Sequence, residues 1–205
     1  NELDSLDKNV FGTTINIKCP VLHFLPYCLD ELIVPINPAK LSKDDHEIHI
    51  VFVGHLGIDD DWMYPIGRLI NSGIHLHVYS RTTYLSKEES GYILKHSGER
   101  YRNIFSNRYF HSHEQLPQEA LANEISKYDY GYWGNSFTKR TKYLTLATGN
   151  KFSTYLEAGI PMIYSKNFEY IDKILEGYGI NISIESKEID DLKRILNNLD
   201  YNKLI

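Results

Sequence analysis

Apolar residues along this chain fall into short runs separated by stretches with helical spacing. The runs IHIVFVG (48–54), IHLHVYS (74–80), RYFHS (108–112), YDYGYWG (128–134), PMIYS (161–165) and INISI (180–184) read as strands. Several are nearly all apolar, as strands covered on both faces are, which predicts a mostly parallel sheet. Between them, DDDWMYPIGRLINSG, SKEESGYILKHSG, LPQEALANEISKY, KFSTYLEAG and NFEYIDKILEGYG place apolar residues at helical spacing and carry stop signals such as Gly73, Gly98 and Gly159. This alternation predicts an α/β fold with a doubly wound, mostly parallel Rossmann-like sheet over residues 46–205. Residues 1–45 break the pattern. CPVLHFLPYCLDELIVP holds one strand-like run and INPAKLSKDDHE reads as a polar linker, so 1–45 are expected to be the remnant of a preceding N-terminal domain plus its linker.

Composition narrows the function classes. Hydrophobic residues make up 42% and charged residues 24% of the 205, which is the balance of a folded globular chain. The formal net charge is −5, and no Lys/Arg run offers the basic face that a nucleic acid needs. The densest cationic stretch, Thr138 to Lys142, reads as a solvated turn. Cys19 and Cys28 fit neither a redox pair nor a zinc knuckle and read as free thiols in a reducing cytosol. No run approaches the roughly 20 apolar residues of a membrane span, and no signal peptide opens the chain. The first residue is Asn, so a fragment or processed product is expected, with a cytoplasmic location.

Chemistry is to be sought after each strand, because open α/β sheets bind ligands outside the carboxyl ends of their strands. The first strand runs into Gly54-His55-Leu56-Gly57, where glycines would let the backbone approach a phosphate; a plain tight turn explains them equally well. Asp59 to Asp61 looks like a metal-binding pair but suits helix capping better, and no metal site is expected. Arg81 follows the second strand and could pair with phosphate oxygens. His111 and His113 share a face of an extended segment without a third ligand at zinc spacing, so contact with a nucleobase is expected there. His75 and His77 read as satisfied structural histidines. In GNKFSTYLEAGIP (149–161), Asn150, Lys151, Ser153 and Thr154 would occupy a helix's first turn, Lys151 meeting a diphosphate and the hydroxyls a ribose or phosphate. Simple capping by Ser153 and Thr154 stands beside that reading.

GNKFSTYLEAGIPMIYSK resembles the Asn-Lys-x-x-x-Tyr-Leu-x-x-Gly-x-Pro segment of GT-B-fold glycosyltransferases, in particular the glycosyltransferase family 4-like group. ISKYDYGYWG is similar to that family's Tyr-Asp-x-Gly strand, IHIVFVGHLG to the first strand of its C-terminal domain, and VLHFLPYCLD to the hand-over from its N-terminal domain. The resemblance implies the donor-binding C-terminal half of a GT-B fold. Its substrates would be a nucleotide diphosphate sugar, UDP- or GDP-linked, and a glycan or lipid acceptor held mainly by the N-terminal domain. It implies no cofactor, no nucleic acid and a role in polysaccharide biosynthesis. Attachment to a membrane surface would be left to parts outside this sequence, and the isolated fragment would be inactive. By the same resemblance, Gly54, His55 and Gly57 would face the donor phosphates with Arg81 in support, His111 and His113 would border the base, and Asn150, Lys151, Ser153 and Thr154 would sit by diphosphate and ribose. Many members carry two Glu residues where this chain has Gly149 and Thr154. A nucleotide-sugar 2-epimerase recruiting His113 and Glu114, or a noncatalytic module, are the alternatives.

Overall fold

The computed structural model describes residues 28–57, 60–80, 99–134, 149–176, 178 and 181–200. Cys19, Asp59, Arg81, the cationic stretch 138–142 and the expected helix over 86–98 lie outside the described residues. Six strands form one sheet: β1 His49–Val53, β2 His75–Tyr79, β3 Phe110–His113, β4 Tyr130–Tyr132, β5 Met162–Ser165 and β6 Asn181–Ile184. Their order is β3-β2-β1-β4-β5-β6, and every pair is parallel. The sheet is therefore doubly wound from β1 and β4 outward, a Rossmann-like α/β fold, with all of the expected strands in place.

Parallel strands need crossovers, and the helices supply them. They are α1 Ser42–Asp45 (one turn), α2 Asp60–Asn71, α3 Glu99–Phe105, α4 Gln118–Ile125, α5 Asn150–Glu157, α6 Glu169–Leu175 and α7 Leu192–Asn197. Alternate strand residues point to opposite faces. Ile50, Phe52, Leu76, Val78 and Phe110 pack on one face with Met63, Ile66 and Leu69 of α2, Ile104 of α3 and Leu192 of α7. Val51, Tyr79, Met162 and Tyr164 face the other layer, with Leu121 of α4, Tyr155 of α5 and Ile171 of α6. The helix α3 had no reading in the sequence: its segment ERYRNIF is too polar for a helical stripe to stand out, yet Tyr101 and Ile104, three apart, are both buried. The described part of the leading segment binds the same layer. Val34 N–H donates to the Glu157 carbonyl at 2.7 Å, Leu41 N–H to the Lys127 carbonyl at 3.0 Å, and the buried Lys40 ammonium to the carbonyls of Ser126 and Tyr128 at 2.7 and 2.8 Å.

The two halves of the sheet separate early. β1 and β4 are in register only at Ile50↔Tyr130 and Val51↔Gly131. Above that point the fully buried Tyr155 of α5 enters the split. Its hydroxyl donates to the Tyr132 carbonyl at 2.9 Å and accepts from Val53 N–H at 3.2 Å, replacing ladder bonds that the diverging strands cannot make. Room for its ring comes from Gly131, where a Cβ would lie 2.5 Å from the Tyr155 ring. Tyr155→Phe keeps the ring but orphans a half-buried N–H and a buried C=O. It is expected to lower the unfolding free energy by about 1–3 kcal/mol in urea titrations with an unchanged m-value.

Candidate functional site

Just above Tyr155, the ends of β1 and β4 and the start of α5 enclose a crevice at the point where the strand order reverses. Open α/β sheets present their ligand sites there. On the β1 side the chain turns at Gly54 with φ +109°, a conformation that side chains rarely adopt. A Cβ on Gly54 would lie 3.2 Å from Lys151 Cε, so the first loop and the first turn of α5 are in contact. On the β4 side the chain leaves through Gly134 at φ +81°, where a Cβ would come within 2.8 Å of Phe52 and 3.0 Å of Trp62. Gly57 lies against the indole of Trp62 and Gly149 against that of Trp133. Four glycines and three aromatic side chains thus bound a small space.

Lys151 occupies it. Its half-buried side chain places Nζ 3.8 Å from the centre of the Phe52 ring and 5.4 Å from that of Trp62. It donates to the Trp133 carbonyl at 3.3 Å. Ring faces and one long hydrogen bond stabilise an ammonium far less than water does. Burial accordingly pushes the Lys151 pKa down to about 7. An anionic partner would restore the ordinary value, and the amides of α5's first turn face the same way, Gly149 being the N-cap without a side-chain cap of its own.

The expected site residues are distributed unevenly around this crevice. Gly54, Gly57 and Lys151 are brought together in it, and Asn150 stands exposed at the start of α5. His55 is exposed on the β1 loop. Ser153 and Thr154 are buried, and neither caps the helix; the Thr154 hydroxyl donates to the Asn150 carbonyl at 2.9 Å. His111 and His113 lie on β3, separated from β1 by β2, which puts them about 10 Å from the row of Gly54. Arg81 is outside the described residues. Asp60 begins α2 and accepts a hydrogen bond from Tyr101 at 2.8 Å. Glu157, at the far end of α5, is buried and receives the Leu29 N–H at 3.2 Å, tying the leading segment to the domain.

Phe52, Trp62, Trp133 and Gly134 were not singled out from the sequence. YGYWG hinted at them, since a glycine two residues after a buried strand's aromatic is a turn signal; their convergence on Lys151 depends on the order of strands. A cavity of about 430 Å³ opens at the opposite end of β1 and β4, lined by Ile36, Lys40, Asp129 and Leu199 among others. Lys40 is already held by two carbonyls, so it anchors the leading segment rather than waiting for a ligand.

A sequence model of the family "Glucosyltransferase 3-like, C-terminal domain" matches residues 75–205. The chain belongs to that family and is a glycosyltransferase C-terminal domain. No curated protein matches the chain.

Lys151 carries a stability signature. Its folded pKa of about 7 lies below the roughly 10.4 of an unfolded lysine, so between these values the unfolded chain binds more protons. Its contribution to stability is therefore least favourable at pH 7 and below, and improves as pH rises toward 10. Lys151→Met, which keeps length without charge, is expected to raise the melting temperature by about 2–4 °C or more near pH 7, as a gain of about 1 kcal/mol does in a chain of this size. The advantage should shrink by pH 9. Paired thermal melts at pH 6.5, 7.5 and 9 check both statements.

Proposed function

We propose that this chain is the donor-binding part of a GT-B glycosyltransferase, which moves a sugar from a nucleotide diphosphate sugar to a glycan or lipid acceptor. The β1–β4 crevice would hold the diphosphate. The observation that carries this reading is Lys151: an under-solvated ammonium beside a glycine turn and a helix start, in a domain of a glycosyltransferase family. In such a site the amides after Gly54 and at the start of α5 would bond phosphate oxygens, and Lys151 would neutralise the leaving diphosphate as the sugar departs. Preorganised charge of this kind is worth most where water is excluded. The family's name makes a glucosyl donor the first to test. Acceptor binding is assigned to a partner domain, with residues 1–45 as its remnant.

The 2-epimerase alternative gains no support from the arrangement of His113, whose ring stacks on Tyr79 at 4.5 Å and bonds His77 at 2.9 Å. No helix among the described residues is long and apolar enough to cross a membrane.

Calorimetric titration with UDP, GDP and their nucleosides tests the reading. One diphosphate is expected to bind, and Lys151→Met to weaken it by about 1–3 kcal/mol while leaving nucleoside affinity unchanged. Because the free lysine titrates near 7 and the bound one higher, affinity should fall from pH 7 to pH 8.5 in the wild type and stay flat in Lys151→Met. Equal affinity of both proteins for the diphosphate across that range would reject the crevice as the phosphate site.

A further inference from the structure

Five histidines share one face of β1, β2 and β3. His49 pairs in register with His75, and His77 with His111, while His113 lies opposite Tyr79. Their rings stack across the strands, His49 on His75 at 4.5 Å and His77 on His111 at 4.4 Å. Hydrogen bonds link them into two rows. In one, Asp45 Oδ2 meets His49 Nε2 at 2.9 Å, His49 Nδ1 meets His77 Nε2 at 3.0 Å, and His77 Nδ1 meets His113 Nε2 at 2.9 Å. In the other, Glu47 Oε2 meets His75 Nε2 at 2.9 Å and His75 Nδ1 meets His111 Nε2 at 2.8 Å. Each carboxylate can only accept, so each row is polarised: every Nε2 carries the proton and donates, and every bridging Nδ1 accepts.

The carboxylate ends of both rows converge. His46 between them adopts φ +62°, a tight turn that lets Asp45 and Glu47, two residues apart, both face the imidazoles. The ligand atoms of Asp45, His49 and His75 all lie within 4.8 Å of one another. The histidines are well covered, at 7% and 16% side-chain exposure, whereas Asp45 at 45% and Glu47 at 31% open to water. Glu47 has one further cation near it, the exposed Arg108 at 3.9 Å.

We propose that Asp45, Glu47, His49 and His75 form a binding site for a divalent transition metal of the zinc class. Two neutral imidazoles and two carboxylates make a four-ligand N/O set whose charge balances the ion, and imidazole favours zinc over calcium or magnesium. Zinc bonds to nitrogen and oxygen run near 2.0–2.2 Å, so Asp45, His49 and His75 draw together around the ion from their present separations of up to 4.8 Å, and the Glu47 carboxylate, now 2.9 Å from His75 Nε2, swings in as the fourth ligand. The outer shell is already built: the far nitrogens of both ligating histidines are held by His77 and His111, the kind of second contact that fixes a ligand's ring. The ion would clamp the 42–47 segment to the sheet at the end of β1 opposite Gly54, a structural site separate from the crevice.

Binding must change the tautomers, and the protons balance. When His49 Nε2 releases its proton to solvent and takes the metal, His77 passes its Nε2 proton to His49 Nδ1. His113 then passes its own to His77 Nδ1, and His113 Nδ1 takes one from solvent. The His75–His111 row shifts likewise, so no net proton leaves the imidazoles.

The test is titration of the chain with Zn²⁺, and with Co²⁺ as a spectroscopic reporter. One ion per chain is expected, with an intense four-coordinate Co²⁺ spectrum and a rise in melting temperature of about 5–10 °C at a hundredfold excess over Kd. Nitrogen-15 spectra of the histidines should show His77 and His113 switching from the Nε2–H to the Nδ1–H form, although neither touches the ion. Asp45→Asn, at an exposed position where folding is not at risk, should weaken binding at least about tenfold, and His75→Gln should remove the four-coordinate spectrum. Zinc that binds Asp45→Asn and His75→Gln as well as wild type would overturn the proposal, as would absent binding at millimolar zinc or unchanged tautomers of His77 on saturation.

Discussion

A parallel sheet wound in two directions from its middle has to come apart somewhere, and here the Tyr155 hydroxyl manages the separation. Its bonds to the half-buried Val53 N–H and the buried Tyr132 carbonyl satisfy two backbone groups that β1 and β4 no longer offer each other. Without such a plug, each group would carry a desolvation cost of about 1–3 kcal/mol, and the strands would be driven to stay paired. With it, they can diverge over Gly54 and Gly134, and the crevice exists. Gly131 belongs to the same device, since any side chain there would displace the ring that carries the hydroxyl. Tyr155 also sits one turn of α5 beyond Lys151, so the residue that wedges the strands open also fixes where the ammonium goes.

That ammonium shows what the proposed phosphate site would cost the empty protein. An apolar side chain between Phe52 and Trp62 would pack at least as well as Lys151 and would not lose hydration. The cation instead sits where its pKa has dropped to about 7, which means the surroundings stabilise the neutral form. Perturbed groups in clefts are candidates for function because folding alone gives no reason for them. The glycines point the same way: Gly54 at φ +109° brings the loop backbone against that cation with no side chain between them.

The strand and helix alternation was readable because buried parallel strands and amphipathic helices have different periods, and β1, β2, β5 and β6 lie within the runs that mark them. The closeness of Lys151 and Gly54 was readable for a second reason: both stand at strand-to-helix junctions, which a doubly wound sheet brings together at its middle. What the sequence did not disclose depends on which strands are neighbours. His75 and His77 looked self-sufficient, and His111 and His113 looked like base contacts, because nothing local says that β2 lies between β1 and β3. Once it does, alternate histidines on three strands must stack, and His49, unremarked in its apolar run, becomes a link between Asp45 and His77. The aromatic walls around Lys151 were hidden likewise: Trp62 comes from α2, Trp133 from the end of β4 and Phe52 from β1.

Both proposed sites hang on β1, one at each end, and this constrains how the strand can vary. His49 and Val51 point to one face while Ile50 and Phe52 point to the other, so a slip of one residue would exchange a histidine for an isoleucine in the imidazole rows. The same slip would remove Phe52 from beneath Lys151 and turn Gly54 out of the bend. Register is held at both ends: His49 N–H donates to Asp129 Oδ2 at 2.8 Å, outside the β1–β2 ladder, and Gly54 N–H closes that ladder on the Tyr79 carbonyl at 2.9 Å. Asp129 also receives the Ser42 hydroxyl, which brings α1, and with it Asp45, to the strand's beginning. The carboxylate that locks the register thus also delivers the segment that the proposed metal would clamp, and a change at Asp129 would be felt along the whole strand.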